Sequence, residues 1–217
     1  MQSFEAFVRA QLPEPPARVL EVGCGRGELT TALAVAGHDA VGIDPAAPDG
    51  PRFRRLTLEE VEEGARYDAV VAAFSLHHIR DLDAALAKIA GGLLVPGGLL
   101  LVDEFAWDLL DEPTVEWLWE QQRSAAAAAG EEAPATPAEL RDDWEAEHVG
   151  VHGDAALRGR LDAHFEQLVL EPTPYLYRHL GGAASAVLEQ ALIDAGTIAP
   201  LGFRYAGRPR RRAGAAT

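Results

Sequence analysis

Residues 19–27 read Val-Leu-Glu-Val-Gly-Cys-Gly-Arg-Gly, and a second apolar run, Val-Gly-Ile, ends in Asp44. This pairing constrains the fold more than any other stretch. A short apolar run that enters alternating glycines reads as a buried strand running into a tight turn, because glycine adopts positive φ at little steric cost. The segment Glu28–Ala36 follows as a helix, with Leu29 and Leu33 one turn apart, and Gly37 stops it. Ala40–Asp44 is then the next strand of a parallel βαβ unit. It delivers a carboxylate to a strand tip, the place where open α/β sheets bind a ribose diol.

The same alternation continues. Ser3 is placed to cap a short helix carrying Phe4, Phe7 and Val8. Beyond Asp44, three prolines in Pro45–Pro51 exclude an ordinary crossover helix. Phe53–Leu56 reads as a short strand, and Thr57–Gly64 as a short helix with Thr57 and Glu60 forming a capping box. Tyr67–Phe74 is a strand and Asp81–Leu94 a helix, with Leu82, Leu86, Ile89 and Leu93 on one face. Pro96–Gly98 is expected to turn the chain into a buried strand, Leu99–Val102. The pattern predicts an α/β fold with a doubly wound, mostly parallel sheet.

After Phe105 the pattern changes. Trp107, Trp117, Trp119 and Trp144 fall in a mostly helical region interrupted after Ala125–Ala129, with Thr136 and Glu139 as a second capping box. A single domain is therefore expected, with a core of 17–105 and 163–207, a helical insert over 106–162 at the ligand end of the sheet, and a frayed tail at 208–217. His164–Leu170 and Gly202–Ala206 read as the last strands, with the helix Ala183–Ala195 between them.

Composition narrows the partners. A net charge of −15 argues against nucleic acid and against an anionic membrane surface, both of which are bound by Lys/Arg-rich faces. Hydrophobic residues make up 48%, enough for a substantial core. Cys24 is the only cysteine, and neither a signal peptide nor a transmembrane run is visible, so a reducing, cytoplasmic setting is expected. Oligomeric state is left open.

Four stretches together resemble the class I S-adenosylmethionine-dependent methyltransferases, in their small-molecule branch. They are Glu21–Gly27, Gly42–Asp44, Tyr67–Ile79 with its Leu-His-His-Ile ending, and Leu94–Val102 with its Pro-Gly-Gly turn. The resemblance implies a seven-stranded Rossmann-like sheet and S-adenosylmethionine as cofactor, with a small molecule as methyl acceptor. It further implies that Gly23, Cys24, Gly25 and Gly27 pass beneath the cofactor, that Glu21 sits near its amino group, and that Asp44 accepts the ribose hydroxyls. Ala73, Phe74 and Leu76 would border the methionine portion and the methyl donor. Thr57 stands where the family usually has a carboxylate for the adenine amino group; Leu58 and Glu59 adjoin it, and Glu59 is the substitute. With the proline-rich loop replacing a helix, the adenine side should be more open than usual.

A transferred methyl needs alignment, exclusion of water and, for a hydroxyl or protonated amine acceptor, a base. His77, His78, Asp103 and Glu104 are the catalytic candidates, since all leave strands at the ligand end. Trp107, His148, His152 and Tyr175 are candidates for lining the acceptor side. No metal site is expected: His148 and His152 have helical spacing, but Gly150 and Gly153 oppose a helix there and a third ligand is lacking. Two other readings stay open at this point. One is a nicotinamide-dependent oxidoreductase, although its glycine spacing is one residue longer. The other is a non-catalytic cofactor-binding scaffold of the same fold.

Overall fold

The computed structural model describes residues 2–64 and 66–210. Among these, seven strands form one sheet: β1 (Arg18–Val22), β2 (Asp39–Ile43), β3 (Phe53–Arg54), β4 (Tyr67–Ala73), β5 (Leu94–Phe105), β6 (Phe165–Thr173) and β7 (Gly202–Pro209). Their spatial order is β3-β2-β1-β4-β5-β7-β6. The pairs β1–β2, β1–β4, β2–β3 and β4–β5 are all parallel. The chain thus winds outward from β1 through β2 to β3, then returns to β4 on the other side. The tips of β1 and β4 flank the reversal point, where open sheets leave a crevice.

The helices are α1 (Phe4–Gln11), α2 (Glu28–Val35), α3 (Leu82–Lys88), α4 (Glu112–Ala129), α5 (Pro137–Glu147), α6 (Asp154–His164) and α7 (Ala183–Asp194). The Ser3 side chain caps α1 through the Ala6 N–H. Strand residues Val19, Ala40, Ala69, Val71 and Leu101 pack with Phe7, Val8 and Leu33 of the helices, all buried. Each valine, leucine or phenylalanine side chain among them contributes about 1.5–3 kcal/mol on full burial.

By internal contacts the chain forms two compact units. One comprises Gln2–Glu104, Ala155–Glu171 and the residues from Arg204 on; the other comprises Phe105–Asp154 and Pro172–Phe203. The second has its own core of Leu110, Val115, Leu118, Leu140, Trp144, Leu176 and Leu201. In the first unit, Arg204 is a buried cation. It reaches the Gln2 carbonyl at 2.8 Å, lies 3.8 Å from Asp103, and faces the rings of Phe4 and Phe7.

Several expectations need correction. The segment Thr57–Gly64 holds only a single 3-10 turn, Leu58–Glu60, although the Thr57–Glu60 capping box is present. The helix expected over Asp81–Leu94 stops being α-helical at Lys88 and widens into a π turn, Ile89–Leu93, over Gly91 and Gly92. Strand β5 begins at Leu94, not Leu99, and the Pro-Gly-Gly stretch is a bulge within it, where the register against β4 jumps from Tyr67–Leu94 to Ala69–Leu99. Proline has no N–H for the ladder, and Gly97 takes φ +84°, which lets the extra residues loop out. Helix α6 lies mostly within the expected helical insert, though the sequence does not single it out as an element. It buries only Leu157 and Leu161, too few apolar residues for a periodic signal. In the expected tail, Arg208 and Pro209 belong instead to β7, and Arg210 bonds to the carbonyls of His164 and Asp162. Positions 211–217 lie outside the described residues.

Candidate functional site

The first turn is built as its glycines suggest. After β1 the N–H groups of Gly23 and Cys24 both donate to the Ile43 carbonyl, at 2.9 and 3.0 Å, which ties the turn to the tip of β2. Gly23 has φ +72°, and a Cβ there would lie 2.5 Å from the Ser75 Cβ. Gly27 caps α2 in the left-handed region, and a Cβ there would strike the Phe53 ring. Both positions therefore require glycine for conformation and for space.

Asp44 closes the other side. One of its oxygens accepts the Gly25 N–H at 3.1 Å and the other accepts the Ala46 N–H at 2.7 Å. A carboxylate offers about four lone-pair sites, so acceptor capacity remains for a further diol. Glu21 lies one strand inward, 5% exposed, and receives a short hydrogen bond from the Thr30 hydroxyl. Burial pushes its carboxyl up to about 7, with the nearby Asp44 charge adding to the rise and the Thr30 bonds opposing it. Burial likewise pushes the Cys24 thiol up to about 11, so this residue is a neutral packing group and not a nucleophile.

A cavity of about 380 Å³ opens beside these groups. Gly23, Asp44, Thr57, Leu58, Glu59 and Phe74 line it, as does His78. Glu21, Cys24, Gly25, Gly27, Ala73 and Leu76 do not line it. The sequence reading did not assign Val22, Ile43, Pro45, Leu56, Ser75, Ile79 and Arg80 to the site, and these also line the cavity. Each lies within two residues of a position already singled out, and adjacency was the available signal.

The turn after β4 carries the densest bonding. Phe74 has φ +49°, a left-handed conformation that costs a bulky residue on the order of 1–2 kcal/mol. Its N–H donates to the Asp103 carbonyl at 2.8 Å. Ser75 donates its hydroxyl to the Val22 carbonyl at 2.9 Å. Glu104, wholly buried at the end of β5, accepts the Ser75 and Leu76 N–H groups at 2.9 and 2.7 Å through Oε1. Its Oε2 lies 2.6 Å from His77 Nδ1. The His77 ring, itself 6% exposed, stands 4.0 Å from the ring of His78. Burial lowers the affinity of His78 for a proton, and the neighbouring His77 lowers it further, against an opposing pull from Glu104. Asp103 is also buried and faces Arg204. Of the four catalytic candidates, His78 is the one placed on the cavity wall.

The second unit brings Trp107, His148 and Tyr175 into one aromatic cluster. The Trp107 and His148 rings are nearly parallel at 5.6 Å, Phe105 stacks on Tyr175 at 4.6 Å, and His148 and Phe105 are 5.2 Å apart. His148 Nδ1 lies 2.6 Å from the Trp144 carbonyl, which fixes the proton on that nitrogen and leaves Nε2 as the acceptor of the neutral ring. His152 is half-buried in the loop between α5 and α6. Glu189 on α7 is wholly buried and accepts the N–H groups of Tyr175, Leu176 and Tyr177 at 2.7, 2.8 and 2.7 Å. Among the described residues, no group of three or more His, Cys, Asp or Glu is arranged to hold a metal. No helix among them is long and apolar enough to cross a membrane.

Comparison with known proteins follows the same lines. The family described as a methyltransferase domain matches residues 3–136. A ubiquinone biosynthesis O-methyltransferase of Azorhizobium caulinodans is 34% identical over 116 residues, covering 47% of this chain and 46% of that protein. The match thus spans less than half the length of that relative. Among solved structures, an S-adenosylmethionine-dependent methyltransferase from Mesorhizobium loti superposes with a TM-score of 0.58 at 17% identity, over 96% of this chain and 98% of that one. A 1,6-didemethyltoxoflavin-N1-methyltransferase of Burkholderia thailandensis, solved with bound 1,6-didemethyltoxoflavin and S-adenosylhomocysteine, gives 0.58 at 19% identity, over 96% of this chain and 77% of that one. At these identities the superpositions bear on the fold.

Proposed function

The chain belongs to the methyltransferase domain family, and from that premise we propose that it transfers the methyl group of S-adenosylmethionine to a small-molecule acceptor. The observation that carries this reading is the cavity bounded by Gly23, Asp44, Thr57–Glu59 and Phe74, with Asp44 tied to the glycine turn. Its volume, about 380 Å³, falls within the range of small-ligand sites. The absence of a side chain at Gly23 and the spare acceptor capacity of Asp44 suit a nucleoside whose sugar lies across the tip of β2.

When bound, S-adenosylmethionine supplies an activated methyl group on a sulfonium. In this reading Asp44 grips the ribose hydroxyls, Leu58 packs against the adenine, and Glu59 offers the carboxylate that Thr57 lacks. Glu21 stands behind Gly23, near the amino end. Its raised proton affinity means that a cationic amino group would draw it toward the ionised form and that binding would release a proton. His78, neutral at pH 7 and on the cavity wall, is the base for an acceptor that must lose a proton, a contribution of about 10²–10⁴-fold. The strong negative charge favours a small acceptor over nucleic acid.

Calorimetry with S-adenosylhomocysteine is the direct test. One site is expected, and Asp44→Ala should weaken it about tenfold or more, equivalent to ~1.4 kcal/mol. No heat at high micromolar ligand, or an unchanged affinity in the variant, overturns the reading. Mass spectrometry of a metabolite extract incubated with enzyme and cofactor should then show an acceptor that gains one methyl group.

A further inference from the structure

We propose that Glu104 is the positioning residue of this site: through His77 it fixes the turn that presents His78 to the cavity. The inference rests on the reading of the cavity given above, but its physical content lies in the protein alone.

The geometry leaves Glu104 no direct part in chemistry. It is wholly buried, does not line the cavity, and has both oxygens committed. What it commits them to is the informative part. Three consecutive residues, Ser75, Leu76 and His77, each direct a donor at this one carboxylate. The preceding residue, Phe74, sits in a left-handed conformation that bulky side chains avoid. A backbone in such a state persists only where its surroundings over-determine it. The three bonds from Glu104, with the Ser75 hydroxyl on Val22, supply that determination.

The bond to His77 adds something that an amide would not. A carboxylate oxygen accepts, so the proton of the His77–Glu104 contact belongs to Nδ1. This sets the ring's orientation as well as its tautomer, and the His77 ring in turn backs the His78 ring at 4.0 Å. His78 thus has a defined face toward the cavity. The charged or titratable groups around it are His77 and Glu104 behind, and Asp44, Glu59 and Arg80 on the lining. Glu189 provides an internal control. It holds a similar turn with three donors, but all are backbone amides, and no imidazole is involved.

The test is heteronuclear NMR of the histidine side chains in the free protein, with Glu104→Gln, Glu104→Asp and Glu189→Gln beside the wild type. In the wild type, His77 should carry its proton on Nδ1 and show ring–ring cross-relaxation with His78. A carboxamide has one acceptor oxygen and an NH2 that can only donate, so Glu104→Gln cannot accept from both the amides and the Nδ1–H of the imidazole. It should shift the His77 tautomer or average it, and move the His78 titration midpoint. Glu104→Asp should restore part of both signals, and Glu189→Gln should move neither. A wild-type His77 protonated on Nε2 alone overturns the proposal without any variant being needed. So does a Glu104→Gln protein whose His77 and His78 signals match the wild type. Calorimetry with S-adenosylhomocysteine on the same samples separates the two ideas. Absence of binding by the wild type defeats the functional reading, whereas the imidazole signals alone decide the role of Glu104.

Discussion

Two buried glutamates solve one problem in the two units of this molecule, and they solve it differently. Glu104 holds Ser75–His77 after β4, and Glu189 holds Tyr175–Tyr177 after β6. Both turns run through a short 3-10 segment, whose N–H groups lack partners of their own. A carboxylate placed behind such a turn satisfies several donors at once, which is why the group tolerates complete burial. Glu189 meets only amides, and burial still pushes its carboxyl above the ordinary range while the three amides pull it back. Glu104 replaces one amide with the His77 ring. The lesson is that one structural device can be purely mechanical in one place and chemically informative in another. The difference is a single donor.

The largest expected effect tests the shared part. Glu104→Ala and Glu189→Ala each strand donors in a dry interior, at about 1–3 kcal/mol apiece, so each variant should lose at least ~3 kcal/mol in urea unfolding. A loss under ~1 kcal/mol in either would break the comparison, because that clamp would then be dispensable. A smaller effect extends it to a third buried carboxylate. Glu21 has the Thr30 hydroxyl in place of a fan of amides, and its folded-state pKa is raised to about 7. A raised carboxyl stabilises the fold fully below its unfolded value, near 4.5, and loses that contribution as pH rises through about 7. Glu21→Gln cannot ionise. Its stability relative to wild type should therefore improve by ~2 kcal/mol between pH 5 and pH 8, measured by urea unfolding at both. A pH-independent difference would show that Glu21 ionises in the fold as readily as in the unfolded chain. The smallest effect concerns Cys24, whose thiol is pushed up to about 11. Alkylation by iodoacetamide at pH 7 should run far slower than for an exposed cysteine, and a fast reaction would mean that the glycine turn is looser than described.

Much of this was legible in the sequence, for physical reasons. Strands buried on both faces print themselves as apolar runs, and β1, β2 and β4 were found within a residue or so. The glycine turn and Asp44 were legible because their backbone demands few other residues. The clamps were not. Glu104 is 27–29 positions from its partners and Glu189 is 12–14, so although its strand-end place marked Glu104 as a candidate, no short window shows what either carboxylate bonds. Only their apolar neighbours, Leu99–Val102 before one and Ala186 beside the other, hinted at burial. The bulge in β5 and the π turn before it depend on how α3 meets its sheet, which no short window contains.

The proline-rich connection after Asp44 has a practical consequence. It is a ribbon, not a helix, and guanidinium bonds hold it: Arg55 to the Ala47 carbonyl at 3.0 Å and to Asp49 at 2.9 Å, and Arg54 to the Pro51 carbonyl at 2.8 Å. Pro45 and Leu56 at its two ends line the cavity, yet much of the stretch between them is exposed. Loops of this kind absorb insertions at little thermodynamic cost. A laboratory library that lengthens or resurfaces the exposed residues 49–51, keeping buried Ala47 and the Arg52 carbonyl that accepts the Gly42 N–H, would thus alter the ribbon beside the binding crevice without cutting into the buried scaffold.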